Sequence, residues 1–337
     1  MNKPKILLLL TGGTIAQVKD PVLNTLIPAK TTEDLLRLVP ELSEHFSITT
    51  VPVENLDSSN IQPKHWIKLA SLIFENYGTY DGFVVTHGTD TMSYTASAVS
   101  FALQNLGKPV VFTGSQLPGT SFGSDARNNL IHAFQVASMD IAEVIIVFGT
   151  KVLRGNRSSK QSESALDAFW SPVFSDLGKI RLEIELFNYH AKRDEKKKPM
   201  LSAAFEENIA VLTITPGMKS RILELLIDSG IKGIILQGFG AGNLPIRENS
   251  LIESIKRSID QGIPVIITSQ CAAGVANVFI YETGIMAKKT GAISAEDMTL
   301  EAAATKLMWV LSQEKSIKDI DRLLHKNFVG EITTRVV

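Results

Sequence analysis

Cysteine is almost missing from this chain. Cys271 is alone among 337 residues, so no disulfide forms within the chain, as expected in a reducing compartment. Long apolar runs are missing too, and nothing approaches the ~20 residues that span a bilayer. Neither sign of charge is in excess. Lys and Arg total 34 against 35 Asp and Glu, a formal net charge of −1 with no long basic stretch. That balance argues against nucleic acid or an anionic membrane as partner and for a small-molecule substrate. The six histidines are scattered and no Cys or His set has metal-ligand spacing, so no metal is expected. No Gly-Lys-Ser/Thr follows a glycine loop, and Thr11-Gly-Gly-Thr14 lacks the spacing of a dinucleotide loop, so no phosphate-bearing cofactor is expected. No internal repeat or low-complexity tract is apparent.

What the chain does have is core-forming residues. Some 44% are hydrophobic against 20% charged, and the length favours two domains. The start, Met1 to Lys5 followed by Ile6 to Leu10, imitates a signal peptide, but its apolar part is shorter than the usual ~7–15 residues and no small-residue cleavage site follows. It reads as the first strand of a cytoplasmic protein.

Short apolar runs then alternate with helical patterns, the signature of a parallel α/β sheet. Strands are expected at Ile6–Leu10, Ser47–Val53, Gly82–Thr86, Pro109–Thr113 and Glu143–Phe148. Helices are expected at Thr32–Leu38, Pro63–Tyr77, Ser93–Asn105 and Asp125–Ser138. A charged run from Lys192 to Lys198 reads as a solvated linker, here bounded at 191–207. Beyond it, strands at Ile209–Ile214, Gly233–Leu236 and Pro264–Thr268 alternate with helices at Met218–Ser229 and Asn249–Gln261, and helices at Leu300–Ser312 and Ile317–His325 close the chain. The expected architecture is α/β: a larger N-terminal domain (1–190) with a parallel-rich sheet between helices, plus a smaller C-terminal α/β domain (208–337).

The strand ends carry an unusual inventory. In order they read Thr11-Gly-Gly-Thr14, Asn55-Leu-Asp57-Ser58-Ser59, His87-Gly-Thr89-Asp90, Gly114-Ser115-Gln116 and, after the fifth, Arg154-Gly-Asn-Arg-Ser-Ser-Lys160. The carboxyl ends of a parallel sheet lie on one edge, so these groups are expected to converge in one crevice. A threonine hydroxyl is a poor nucleophile at neutral pH and needs a base within reach and donors aimed at the developing oxyanion. A Thr-Lys-Asp set meets the first need and the amides of tight glycine turns the second. Thr11 and Gly12 read mostly as scaffold, His87 as a structural histidine and Cys271 as a small buried hydrophobe.

Thr11-Gly-Gly-Thr-Ile-Ala16 together with His87-Gly-Thr-Asp-Thr-Met92 resembles the two signatures of the bacterial-type L-asparaginase family. Asp57-Ser-Ser59, Leu106-Gly-Lys-Pro-Val110, Thr113-Gly-Ser-Gln116, Arg154 to Lys160, Gly240-Ala-Gly-Asn243 and Ala295-Glu-Asp-Met-Thr299 extend the resemblance, in order, to the cytoplasmic type I branch. The resemblance implies that Thr14 is the nucleophile of an acyl-enzyme and that Thr89, Asp90 and Lys160 form a second cluster activating a hydroxyl or water. It implies that Asp57, Ser58, Ser59, Thr89, Asp90, Ser115 and Asn243 bind the substrate, L-asparagine, whose zwitterion suits acids and serines. Asp90 has a possible job in both sets. It further implies a homodimer or a dimer of dimers.

The chain departs from the family at one point. Many members carry a tyrosine on the segment after the first motif, and Gln17 to Lys30 contains none, reading Thr25-Leu-Ile-Pro28 at the expected place. Tyr281, in Ile-Tyr-Glu-Thr-Gly284, is the candidate replacement. Some type I members also hold a separate effector site; Cys271 matches its neighbourhood, but Gln237 stands where an arginine is expected. Two other readings remain beside hydrolysis of asparagine to aspartate and ammonia. One is the related amidase component of an archaeal glutamyl-tRNA amidotransferase, which normally has an additional N-terminal domain. The other is a non-catalytic amino-acid-binding protein.

Overall fold

In a computed structural model of the chain, residues 3–19, 26–28, 35–278 and 280–333 are described, the side chains of 16–19 and 26–28 excepted. The chain divides into two compact units, 1–171 with 175–203, and 172–174 with 204–337.

Eight strands build the sheet of the first unit: β1 (Lys5–Gly12), β2 (Ser47–Leu56), β3 (Gly82–Thr86), β4 (Val110–Thr113), β5 (Val144–Phe148), β6 (Lys151–Arg154), β7 (Gly178–Ile180) and β8 (Ile184–Leu186). Their spatial order is β8-β7-β6-β5-β4-β3-β1-β2. The stretch β2-β1-β3-β4-β5 is parallel, and β6, β7 and β8 continue it antiparallel. Ile6 to Leu9, Phe83 to Val85, Val110 to Phe112 and Ile145 to Phe148 are all buried. Continuous apolar runs are what a parallel sheet covered on both faces requires. From β1 the chain steps outward to β2 and then crosses back to β3 on the other side. This places a topological switch point between β1 and β3, where an open α/β sheet leaves a crevice at its carboxyl edge.

Among the described residues the longer helices packed on this sheet are α1 (Pro63–Asn76), α2 (Met92–Ala102) and α3 (Ala126–Ser138). In α1 a first-position proline precedes one buried face of Trp66, Leu69, Ala70 and Ile73. Almost every residue of α2 is buried, so it is an internal helix rather than an amphipathic one. It ends at Ala102, short of the expected Asn105: Leu103–Gln104 pairs with Met200–Leu201, and Asn105 turns out of line at φ +58°. Of the helix expected at 32–38, residues 32–34 lie outside the described residues and only Leu35 and Leu36 are helical.

The charged run 192–198 keeps its lysines at the surface but is fastened to the first unit. Arg193 donates to the carbonyls of Met139, Asp81 and Ala137, and Asn105 Nδ2 donates to Lys198 O at 2.8 Å.

The second unit has a four-stranded parallel sheet in chain order, β9 (Ile209–Thr213), β10 (Gly233–Gly238), β11 (Val265–Ser269) and β12 (Ile293–Ser294). Helices α4 (Ser220–Asp228), α5 (Ile252–Asp260), α6 (Glu282–Lys289), α7 (Leu300–Leu311) and α8 (Ile317–Leu324) accompany it. Leu223, Ile227, Ile234, Leu236, Ile255, Val265 and Ile267 form its core. The two-residue β12 and the short α6 carry too little periodicity to be read from sequence.

Candidate active site

The site in the first unit is assembled by glycines that let strand-end turns nest. Gly12 and Gly13 have φ of +102° and +85°, a region that side chains disfavour. A Cβ at Gly13 would stand 2.4 Å from Gly88 N, and one at Gly88 would stand 2.7 Å from Ser58 Oγ. A Cβ at Gly12 would stand 2.5 Å from Leu56 O, and one at Gly114 2.4 Å from His87 O. The turns after β1, β2, β3 and β4 therefore touch backbone to backbone at the switch point. Polar bonds lock them: Thr11 Oγ1 donates to Thr86 O at 2.9 Å, Gly13 N to Leu56 O at 3.2 Å and Thr91 Oγ1 to Ser58 O at 2.7 Å. Thr11 is thus committed to scaffold. Thr14, half-buried, opens the 3-10 turn Thr14–Ala16 directly beyond Gly13.

Beside this turn lies a three-residue cluster. Lys160 Nζ donates to Thr89 Oγ1 at 2.8 Å and to Asp90 Oδ1 at 2.7 Å. Thr89 is buried, the Lys160 side chain is 17% exposed and that of Asp90 64% exposed. The Thr89 hydroxyl in turn points its proton at Gln116 Oε1, 3.4 Å away.

Lys160 arrives by an unexpected path. The chain does not loop from the carboxyl end of β5 to Arg154; Gly149, at φ +58°, turns it back as the antiparallel β6, which ends beside the amino end of β5. There Arg154 pairs with Glu143 at 2.5 Å. The segment then runs back along α2, Gly155 lying against Ala96 and Ser158 Oγ 3.3 Å from Ser93 Oγ. It delivers Lys160 to the start of that helix, where its short strand Ser159–Lys160 pairs with Phe169–Trp170.

The expected substrate-binding groups are differently occupied. Asp57 caps the 3-10 turn Ser58–Asn60, accepting from Ser59 Oγ at 2.6 Å and Ser59 N at 2.9 Å. The Ser59 hydroxyl, with the Ser59 amide second, holds the Asp57 carboxyl below its ordinary range. Ser58 is buried beneath Gly88, and Ser115, also buried, donates to Leu117 O at 2.6 Å.

Tyr281 and Asn243 belong to the second unit. Tyr281 precedes α6 and is 54% exposed. Asn243 closes a turn with Phe239 through both backbone groups, and its Oδ1 accepts from Thr283 Oγ1 at 2.7 Å. Gln237 Oε1 accepts from Thr213 Oγ1 at 2.7 Å. Cys271, expected to be buried, is exposed: it sits in the turn after β11, its amide donating to Ser269 Oγ, beyond the reach of the core. Of the segment lacking the family's tyrosine, Thr25 and residues 20–24, 29 and 30 lie outside the described residues; the backbone of Gln17–Lys19 pairs antiparallel with Leu26–Pro28.

Two site-supporting residues escape a sequence reading. Asp125, 8% exposed, accepts the amides of Gln116 and Leu117, and Asn129 bridges Asp125 and Gly114 O. The signal that could have found them is a polar pair one turn apart at the start of a helix, with Asn129 on the same face as the apolar Ala126, Leu130 and Ala133. Among the described residues no group of three or more His, Cys, Asp or Glu is placed to hold a metal ion, and no helix is long and apolar enough to cross a membrane.

Residues 5–192 match the family "Asparaginase, N-terminal" and residues 208–324 the "Glutaminase/Asparaginase C-terminal domain". A component of the glutamyl-tRNA(Gln) amidotransferase of Pyrococcus abyssi is 38% identical over 98% of this chain and 77% of its own length. L-asparaginase 1 of Escherichia coli is 36% identical over 99% of both chains. The solved structure of the thermostable L-asparaginase from Thermococcus kodakarensis superposes with a TM-score of 0.92 at 36% identity, over 98% of this chain and 100% of that one. With both halves matched, in order, around the glycine-nested turns and the Thr89–Lys160–Asp90 cluster, the chain belongs to the asparaginase family.

Proposed function

We propose that this protein hydrolyses L-asparagine to L-aspartate and ammonia, with Thr14 as nucleophile. The observation that carries the reading is Lys160 Nζ at hydrogen-bond distance from both Thr89 Oγ1 and Asp90 Oδ1, at the sheet edge where the Thr14 turn abuts the Thr89 turn. In the first step Thr14 Oγ bonds to the side-chain carbonyl carbon and its proton passes to the Thr89–Lys160–Asp90 cluster. The carbon–nitrogen bond then breaks, and the leaving group takes a proton from that cluster to depart as ammonia. In the second step a water adds to the acyl carbon, the ester bond to Thr14 breaks, and the water's proton returns to the Thr14 hydroxyl. Amides in the glycine turns supply donors for the oxyanion.

Asp57, Ser58 and Asp90 hold the substrate's ammonium and carboxylate groups in this reading, with Ser59, Ser115 and Asn243 as further contacts. Tyr281 is the proposed stand-in for the missing tyrosine. The reading further takes the protein to be cytoplasmic and to assemble as a homodimer or dimer of dimers, and likeness to the asparaginase family supports both.

Steady-state ammonia release with L-asparagine, L-glutamine and D-asparagine tests the reading. Wild type is expected to act on L-asparagine, with Thr14→Ala and Lys160→Met reduced to background while keeping wild-type circular dichroism, and Tyr281→Phe impaired. Asparagine and glutamine differ by about one methylene, worth only ~1–3 kcal/mol of selectivity, so weak glutaminase activity is compatible with the proposal. No release from any substrate sinks it. The likeness to the amidotransferase component favours one second reading, a glutaminase feeding ammonia to a partner; strong preference for glutamine supports that instead.

A further inference from the structure

We infer that Asp125 and Asn129 are positioning residues that brace both arms of the Thr89–Lys160 cluster, Asp125 acting through Gln116; the inference rests on the reading of that cluster as the catalytic one. Asp125 immediately precedes α3 and is buried. Its carboxylate accepts Gln116 N at 2.9 Å, Leu117 N at 3.1 Å and Asn129 Nδ2 at 3.0 Å. Three donors on one buried carboxylate hold it in place and immobilise the backbone of the turn after β4. The same Asn129 amide nitrogen donates to Gly114 O at 2.9 Å, so the turn is held at both ends.

The Gln116 side chain is thereby aimed. Its Nε2 donates to Ala165 O at 3.1 Å, which orients the amide so that Oε1 is left for the Thr89 hydroxyl proton. At 3.4 Å that contact is long, the longest of the bonds around Thr89 described above. Lys160 and Gln116 together therefore set the orientation of the Thr89 hydroxyl: one donates to its oxygen and the other accepts its proton.

Asn129 also reaches the second arm. Its Oδ1 accepts from Gly149 N at 3.1 Å, at the turn between β5 and β6. The next residue, Thr150, is tied to Asp167 by its amide at 2.8 Å and its hydroxyl at 2.9 Å. Lys151 Nζ donates to Phe169 O at 2.9 Å, and Phe169 is the strand partner of Lys160. One side chain at the start of α3 is thus bonded to the turn carrying Gln116 and to the turn from which the Lys160 ribbon is anchored.

A double-mutant cycle on ammonia release separates this role from a merely structural one. Gln116→Met keeps the side chain's length without an acceptor for Thr89; Asp125→Asn keeps the shape but turns one acceptor oxygen into a donor. We expect kcat to fall about 10-fold in Gln116→Met and about 100-fold in Asp125→Asn, with KM changed less than about twofold, a displaced catalytic group costing on the order of 100-fold. Because Asp125→Asn loosens the whole turn and displaces the Gln116 acceptor with it, the double variant should stay near 100-fold rather than multiply to about 1000-fold. Multiplicative loss, or a loss in KM alone, overturns the inference. If wild type releases no ammonia, the proposed function fails, and amide hydrogen exchange still decides the brace. Asp125→Asn should then speed exchange at Gln116 and Leu117 at least about tenfold while Gln116→Met does not. Unchanged protection in Asp125→Asn overturns it.

Discussion

His87 opens the second signature without joining the hydrogen-bonded cluster of Thr89, Lys160 and Asp90. It is 1% exposed, and its Nδ1 lies 2.7 Å from Gly88 O, which can only accept, so Nδ1 carries the proton. Nε2 is buried with no partner among the described residues. A second proton there would be a buried charge without a hydrogen bond, and burial pushes the ring's pKa down to about 4. The unfolded chain takes up that proton near 6.5, so the stability His87 contributes is complete above pH 6.5 and is lost as pH falls toward 4. Over that window the loss is about 3 kcal/mol at ~1.4 kcal/mol per unit. Urea unfolding of wild type should therefore weaken between pH 7 and pH 4.5 by more than that of His87→Gln. Parallel pH dependences in the two proteins would assign the acid lability elsewhere. The structural role was legible from a histidine at a strand end; its tautomer was not, because Gly88 O approaches only once the turn is folded.

At the scale of elements, apolar runs read as five parallel strands because strands covered on both faces need uninterrupted apolar residues. Thr14, Asp57, Thr89 and Asp90 could then be placed on one edge from chain order alone. Lys160 could not: β6 is a short strand, Lys151-Val-Leu-Arg154, whose reversal depends on Gly149 and whose return along α2 depends on close approach of Gly155 to Ala96. Ser93 and Ser158 meet there across a contact that no local pattern announces. What the turns share, and what the motifs encode, is missing Cβ atoms. Gly88 shows this best, since its backbone is not in the left-handed region and only the approach of Ser58 forbids a side chain. Gly88→Ala must push Ser58 away from the Thr89 turn and disturb the bond it accepts from Thr91. The expected outcome is a fall in kcat/KM of about 100-fold with secondary structure retained, the usual cost of displacing positioned groups by about 1 Å. Wild-type kcat/KM in Gly88→Ala would show that the turns need not nest to work.

For the whole molecule, two units mean two cores, and the second closes on a charge. Lys306 lies on α7 among Ala302, Ala303 and Leu307. Its side chain and that of Glu331 are 0% exposed and 2.6 Å apart. All three ammonium protons have partners, Glu331 Oε1, Leu324 O at 2.8 Å and Lys326 O at 2.7 Å. Glu331 also accepts Phe328 N at 3.1 Å and Val329 N at 2.9 Å, so the pair fastens the end of α8 and the segment after it to α7. An attraction between charges so deep barely exceeds the cost of drying them, and its effect shows when one is removed. Lys306→Met leaves a dry, uncompensated carboxylate and should cost about 3–5 kcal/mol, a large share of the ~5–15 kcal/mol that holds a domain together. Converting Glu331 to Met as well should recover part of that loss, by removing the orphan charge. Recovery stays incomplete because Leu324 O, Lys326 O, Phe328 N and Val329 N lose their partners. Urea midpoints of wild type, Lys306→Met and the double variant measure both quantities. A single variant within about 1 kcal/mol of wild type would place water or a second cation beside Glu331, and the closure of the second unit would then rest on its apolar contacts, Trp309 against Phe328 foremost.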